Sequence, residues 1–303
     1  MDWQSEIEVA AERIAPHVRQ TPVISLVVGG QVLELKLEHL QHTGTFKARG
    51  AFNALIRGPV PAGGVVAASG GNHGAAVAYA AAQLGIPARI FVPEIAGPAK
   101  IALIERTGAA LTVVPGAYAD ALAAALQHEA ATGAMQVHAY DGVATLAGQG
   151  TCLREWEAQG LSADTVLVAV GGGGLIGGAM AWLGGRRKLV GVEPVTACAL
   201  HAALAAGAPV DVAVSGVAAN ALGAKRIGEH CFSLALASGL TSVLVTDDAI
   251  LHAQRVLWRE ARILVEPAGA AALAALLSGA YVPEPGERVA VLLCGANLSP
   301  EPV

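Results

Sequence analysis

Four consecutive glycines, Gly171–Gly174, follow the β-branched run Val166–Val170 and precede an apolar stretch that reaches about Leu183. Glycine in a helix interior is poorer than alanine by about 1 kcal/mol per residue, so the run is a loop and not part of a helix. Few folds accommodate it. A strand, a glycine turn and a helix, closed by a second strand at Leu189–Val192, form a βαβ unit that does. The same segment, Thr165–Gly185, is uncharged and is followed by Arg186, Arg187 and Lys188. That pattern superficially resembles a membrane span with a basic flank. The glycines argue against a span, and no membrane partner is expected.

A second stretch has the same plan. Gly64–Pro93 reads as a strand at Val65 and Val66, the loop Ser69-Gly70-Gly71-Asn72-His73-Gly74 and an alanine-rich helix to about Leu84. A turn at Gly85–Pro87 then leads into a strand over Ala88–Val92. Such units predict parallel strands joined by right-handed crossovers. A third apolar strand, Val289–Leu293, runs into Cys294-Gly295-Ala296-Asn297. All three unusual loops follow the carboxyl end of a strand, the edge at which open α/β sheets bind ligands. Helical patterns also cover Tyr118–Thr132 and Asp247–Arg262. The expected class is therefore α/β, with two lobes built on parallel or mostly parallel sheets flanked by helices. The expected smaller lobe covers about 59–141, and 1–58 with 142–303 form the larger.

Composition narrows the function classes. The 303 residues are 54% hydrophobic and 14% charged, enough for two densely packed lobes. Net charge is −5 without a long basic run, so no nucleic-acid partner is expected. Cys152, Cys198, Cys231 and Cys294 form no CxxC pair, which argues against structural zinc or a disulfide scaffold and fits a reducing, cytoplasmic location. The acidic start, with Asp2, Glu6, Glu8 and Glu12, lacks the apolar core of a signal peptide.

Three elements suggest chemistry. Backbone amides of a glycine run at a helix N-terminus cradle phosphate. Gly172, Gly174 and Gly177 also satisfy GxGxxG, with Glu193 placed 19 residues after Gly174, so a nicotinamide oxidoreductase stays open at this level. The Ser69–Gly74 loop offers a hydroxyl, an amide, an imidazole and accessible backbone N–H groups suited to a carboxylate, although such turns also serve as plain connections. Lys47 lies in Thr43-Gly44-Thr45-Phe46-Lys47-Ala48-Arg49-Gly50, ahead of a helical pattern through Phe52, Leu55 and Ile56. Most lone lysines are solvated. One buried at a sheet edge has a lowered pKa and attacks carbonyls.

The ordered set Leu37-Glu38-His39-Leu40, TGTFKARG, SGGNHG, AGQGT (Ala147–Thr151), GGGGLIGG, VEP (Val192–Pro194), VEPAGAAAL (Val265–Leu273) and CGAN resembles the serine/threonine dehydratase and serine racemase family of fold-type II pyridoxal-phosphate enzymes. The match runs from about Gln20 to Pro300, with the motifs in family order. The resemblance implies pyridoxal 5'-phosphate as cofactor, carried by Lys47, which is also the catalytic base. It places Phe46 beside the cofactor ring and Asn72 on the ring 3'-oxygen. Gly171, Gly172, Gly173 and Gly174, followed by Leu175, match the phosphate cradle. Ser69, Gly70, Gly71, Asn72 and His73 match the clamp on the substrate carboxylate, and Cys294 matches the residue facing the pyridine nitrogen. A neutral thiol there is a weak donor and does not hold the ring protonated, which favours prompt loss of a β-leaving group.

The activity so implied is elimination of water from an L-β-hydroxy amino acid, L-threonine or L-serine, giving a 2-oxo acid and ammonia in a homodimeric enzyme. β-Replacement, or a phenylserine or hydroxyaspartate substrate, is the alternative within the family. Some relatives bind a divalent metal through the VEP glutamate and an aspartate six residues on. Here Glu193 is present and Ala199 stands at the second position, so no metal is expected. Metal-activated racemases carry a serine where this chain has Gly70, so elimination without racemisation is expected. No regulatory domain is expected beyond Pro300. Tyr140 and Ala218 are candidates for contact with the substrate side chain. His17, His201, His230 and His252 read as surface groups, and Glu266 as an organiser of a helix start or of the cofactor pocket.

Overall fold

The computed structural model describes residues 1–298 except Gly97 and Ala117. Helix α1 (Trp3–Ile14) leads into the hairpin β1 (Val23–Val28) and β2 (Gln31–Lys36), and α2 (Lys47–Ile56) follows two short turns. Next come β3 (Val65–Ala68), α3 (Asn72–Gln83), β4 (Ala88–Pro93), α4 (Pro98–Glu105), β5 (Ala110–Val114), α5 (Tyr118–Thr132) and β6 (Met135–Gln136). The chain continues through α6 (Val143–Ala158), β7 (Thr165–Ala169), α7 (Gly174–Leu183), β8 (Lys188–Pro194) and α8 (Ala199–Ala206). It then runs through α9 (Ala219–Leu222), α10 (Glu229–Ser238), β9 (Thr241–Val245), α11 (Asp247–Ala261), α12 (Pro267–Leu277) and β10 (Val289–Leu292).

These strands form two sheets, which is the two-domain α/β architecture expected. The larger has the order β1-β2-β10-β7-β8-β9 and the smaller β5-β4-β3-β6. Among the described residues every pairing of these strands is parallel except β1–β2. That antiparallel hairpin turns at Gly29 and Gly30, whose φ values of +60° and +83° suit a two-residue turn matching strand twist. It extends the large sheet by an edge that the sequence reading did not foresee. The apolar segment Thr165–Gly185 resolves, as expected, into β7, the glycine loop and α7. Among the described residues no helix is long and apolar enough to cross a membrane.

Valines dominate the central strands because they are buried on both faces: β7 and β10 are buried at every position. Their core is continuous with α12, whose alanines pack flat against the sheet. A second core joins Val65, Ala67, Ile90 and Val92 of the small sheet to α3 and to Ala48, Ala51, Phe52 and Leu55 of α2. Helix α6 is the common support. A Cβ on Gly148 would lie 2.7 Å from the Arg49 carbonyl oxygen of α2, and one on Gly178 of α7 would lie 2.5 Å from the Gly150 nitrogen of α6. The AGQGT motif thus lets α2 and α7 approach α6 backbone to backbone, which fixes the helix of Lys47 relative to the helix of the glycine run.

Candidate active site

The three loops at strand ends meet in one pocket, lined by Phe46, Lys47, Asn72, the glycine run with Leu175, and Cys294. Tyr140, Ala221, Leu222 and Glu266 complete much of its wall. Sequence separation is large, but the topology makes it local: β7 and β10 are neighbours, and the Lys47 segment is stitched to the end of β10. Thr45 bridges Gly295, the Phe46 N–H donates to the Cys294 carbonyl at 3.2 Å, and the Ala296 N–H donates to the Gly44 carbonyl at 2.9 Å.

Lys47 opens α2 and is half-buried. Its Nζ donates to the Ala139 carbonyl at 2.7 Å. Burial pushes its pKa down to about 8, partly opposed by Cys294. Cys294 is 3% exposed and its Sγ donates to the Ala268 carbonyl at 3.4 Å. Burial, and secondarily Glu266, hold that thiol well above its usual range, so it is neutral.

Two helix N-termini point into this region, and both N-caps are glycines, which have no side chain to cap them. Helix α7 starts after Gly173, whose φ of +96° is left-handed. A Cβ on Gly172 would strike the Tyr140 ring at 2.3 Å, and one on Gly173 would strike Cys231 Sγ at 2.5 Å. Larger residues would fill the cradle, whereas glycine leaves the α7 amides open to an anion. Helix α3 starts after Gly71, whose N–H donates to Ser69 Oγ at 3.2 Å.

Ser69, Gly70, Gly71 and His73 lead into and out of Asn72 rather than lining the pocket themselves. The His73 ring is turned away, 2.8 Å from the Val137 carbonyl, and burial, then Lys47, push its pKa down to about 3. It stays neutral and donates through Nε2. Glu266 occupies the N-cap position of α12 but accepts no capping bond there; its Oε1 accepts from Asn72 Nδ2 at 2.6 Å. Of the two roles open to it, the pocket is where its carboxylate lies.

Tyr140 lines the pocket, whereas Ala218 is a buried core residue behind Ala221 and Leu222. His201 and His252 are exposed. His17 and His230 are instead half-buried, stacked on Phe52 and edge-on to Trp3, because each ring covers apolar surface at a helix contact. Glu193 is fully buried, and its oxygens accept the Leu200 and His201 N–H groups, each at 2.8 Å. It caps α8 with the electron pairs a metal would need.

Sequence reasoning did not single out Ala139, Ala221, Leu222 or the contact partner of Asn72. The last, Asn297, stood in view at the end of CGAN, at the carboxyl end of a strand.

A pyridoxal-phosphate enzyme of two-domain α/β architecture is the class this fold and pocket define. The chain belongs to the pyridoxal-phosphate dependent enzyme family, whose model matches residues 14–295. It is closely related to threonine and serine dehydratases and to serine racemases. It is 37% identical over 294 residues to phenylserine dehydratase of Ralstonia pickettii, covering 94% of this chain and 90% of that one. Against the biosynthetic L-threonine dehydratase of Mycobacterium leprae it is 39% identical over 313 aligned positions, covering 96% and 71%. The structure of maize serine racemase superposes with a TM-score of 0.91 at 30% identity, covering 98% of this chain and 94% of that one. The cofactor is pyridoxal 5'-phosphate, and the residues present fit it: an amine of lowered pKa, a glycine cradle that a Cβ would fill, and a neutral thiol share one pocket.

Proposed function

We propose that this enzyme eliminates water from an L-β-hydroxy amino acid, L-threonine or L-serine, to give a 2-oxo acid and ammonia. The observation that carries the reading is the convergence of Lys47, the glycine run, Asn72 and the neutral Cys294 on one pocket. Bound pyridoxal phosphate supplies the electron sink that lets a bond at the substrate α-carbon ionise.

The chain's own residues do the rest. The amides of Gly171–Leu175 would hold the phosphate, and Lys47 Nζ would be the point of covalent attachment. The α3 amides that follow Gly71, with Ser69 beside them, hold the substrate carboxylate at the positive end of the helix. Asn72 would donate to the ring oxygen. With its pKa lowered to about 8, the Lys47 amine would be free above that pH and placed to take the α-proton as general base. The neutral Cys294 thiol would face the cofactor ring without supplying a negative charge, which would favour loss of a β-leaving group.

Gly70 supports the stereochemical part of the reading. It has no side chain to serve the face opposite Lys47, and a Cβ there would come within 2.4 Å of the Ala96 methyl and 2.9 Å of Val92 Cγ1. One face alone is then active, and inversion is not expected.

The relationship to phenylserine dehydratase supports the same chemistry on a bulkier side chain, with Tyr140 at the pocket wall. The test is a panel of L-serine, L-threonine, phenylserine and hydroxyaspartate, following 2-oxo acid, ammonia and, by chiral chromatography, D-amino acid. Stoichiometric 2-oxo acid and ammonia without D-product is expected. D-serine formed as fast as pyruvate would overturn the Gly70 argument, and no 2-oxo acid from any member would overturn the reaction.

A further inference from the structure

Asn297 sits behind Asn72 and joins three segments. Its Nδ2 donates to the Thr43 carbonyl at 2.9 Å, in the loop before Lys47, and to Asn72 Oδ1 at 2.8 Å, at the start of α3. Asn72 Nδ2 in turn donates to Glu266 Oε1 at 2.6 Å. A peptide carbonyl ends this chain on one side and a carboxylate on the other, and both only accept. Its polarity is therefore determined. Reversing the Asn72 amide would set its oxygen against the Glu266 carboxylate and its NH2 against that of Asn297.

We propose that Asn297 is a positioning residue for the cofactor. By donating to Asn72 Oδ1 it locks the Asn72 amide so that Nδ2 faces the pocket, with one N–H on Glu266 and the second left for the cofactor ring oxygen. The inference rests on the reading of Asn72 as the donor to that oxygen. Because Thr43 lies in the turn before α2 and Asn72 opens α3, the same lock ties the Lys47 loop to the helix that follows β3.

The test is a double-mutant cycle on the holoenzyme. Asn297→Asp is nearly isosteric but cannot donate, so it draws Asn72 Nδ2 toward itself and turns the oxygen to Glu266 and the pocket. The readout is the rate of cofactor loss, followed by decay of the visible band after dilution into a cofactor trap. Asn72→Ala is expected to speed that loss about tenfold, and Asn297→Asp alone by a similar factor. In the Asn72→Ala background, Asn297→Asp should add less than about twofold, the signature of a residue acting through its neighbour. Equal factors in the two backgrounds, or no effect of Asn297→Asp alone, would overturn the lock. An Asn72→Ala holoenzyme that loses cofactor no faster would overturn the Asn72 reading and the lock with it. Should Asn297→Asp not yield folded holoenzyme, Asn297→Ser takes its place in the cycle. It can donate one bond only, and a smaller factor, again confined to the Asn72 background, is expected.

Discussion

The role proposed for Lys47 rests on what surrounds its amine. A solvated lysine is almost wholly protonated at neutral pH and is a poor nucleophile toward the cofactor aldehyde. Here burial favours the neutral form and lowers the pKa to about 8 from the ordinary 10.5, with Cys294 opposing only part of the shift. The sign follows directly: a lowered lysine pKa means a protonated, unreactive amine below about 8 and a free amine above it. Capture of pyridoxal phosphate by apoenzyme should therefore accelerate as pH rises through about 8 and level off beyond. Stopped-flow rates that keep rising to a midpoint near 10.5 would show that the amine is solvated. The sequence suggested burial of Lys47 at a sheet edge with a lowered pKa, but not its neighbours, because the Ala139 carbonyl and Cys294 come from distant parts of the chain.

Helix α2 has to hold that amine still, and a buried ionic cluster anchors its first turn. Arg49, two residues after Lys47, donates from Nε and Nη2 to the two oxygens of Glu38, at 2.9 and 2.7 Å, and from Nη2 to Glu155 at 2.9 Å. Lys36 donates to the other Glu155 oxygen at 2.6 Å. Burial would raise the Glu38 pKa, but the Arg49 charge and its hydrogen bonds outweigh it, and the carboxyl is held below its ordinary range. Removing one partner leaves an uncompensated buried charge, so Arg49→Ala should destabilise the protein by roughly 3–5 kcal/mol, read from the denaturant midpoint. A loss under about 1 kcal/mol would mean that water enters to replace the arginine. The elements themselves were largely legible. The strand–loop–helix units at β3–α3 and β7–α7 could be read because valine runs end in glycine loops, and α5 appears with the bounds expected. The β1–β2 hairpin went unread despite its Gly29-Gly30 turn. The Glu38–Arg49–Glu155 cluster and the Asn72–Asn297 bond, 225 residues apart in sequence, exist only through the sheet order.

At the scale of the molecule, two sheets present their strand ends to one pocket, and β8 of the large sheet also carries the buried Glu193. Burial pushes the Glu193 pKa up to about 7, opposed by the Leu200 and His201 N–H groups that occupy its oxygens. With a methyl at Ala199 in place of a second oxygen ligand, chelators should leave activity within about twofold of the untreated enzyme. A large loss restored by magnesium or calcium would show that other oxygens build a site. The central claim, however, is that the whole architecture converges on one amine. The chain has five lysines, Lys36, Lys47, Lys100, Lys188 and Lys225, so a single experiment separates them. Borohydride reduction of the holoenzyme followed by peptide mapping should place the reduced cofactor on Lys47 alone. An adduct on any of the other four, or no adduct at all, would contradict the account.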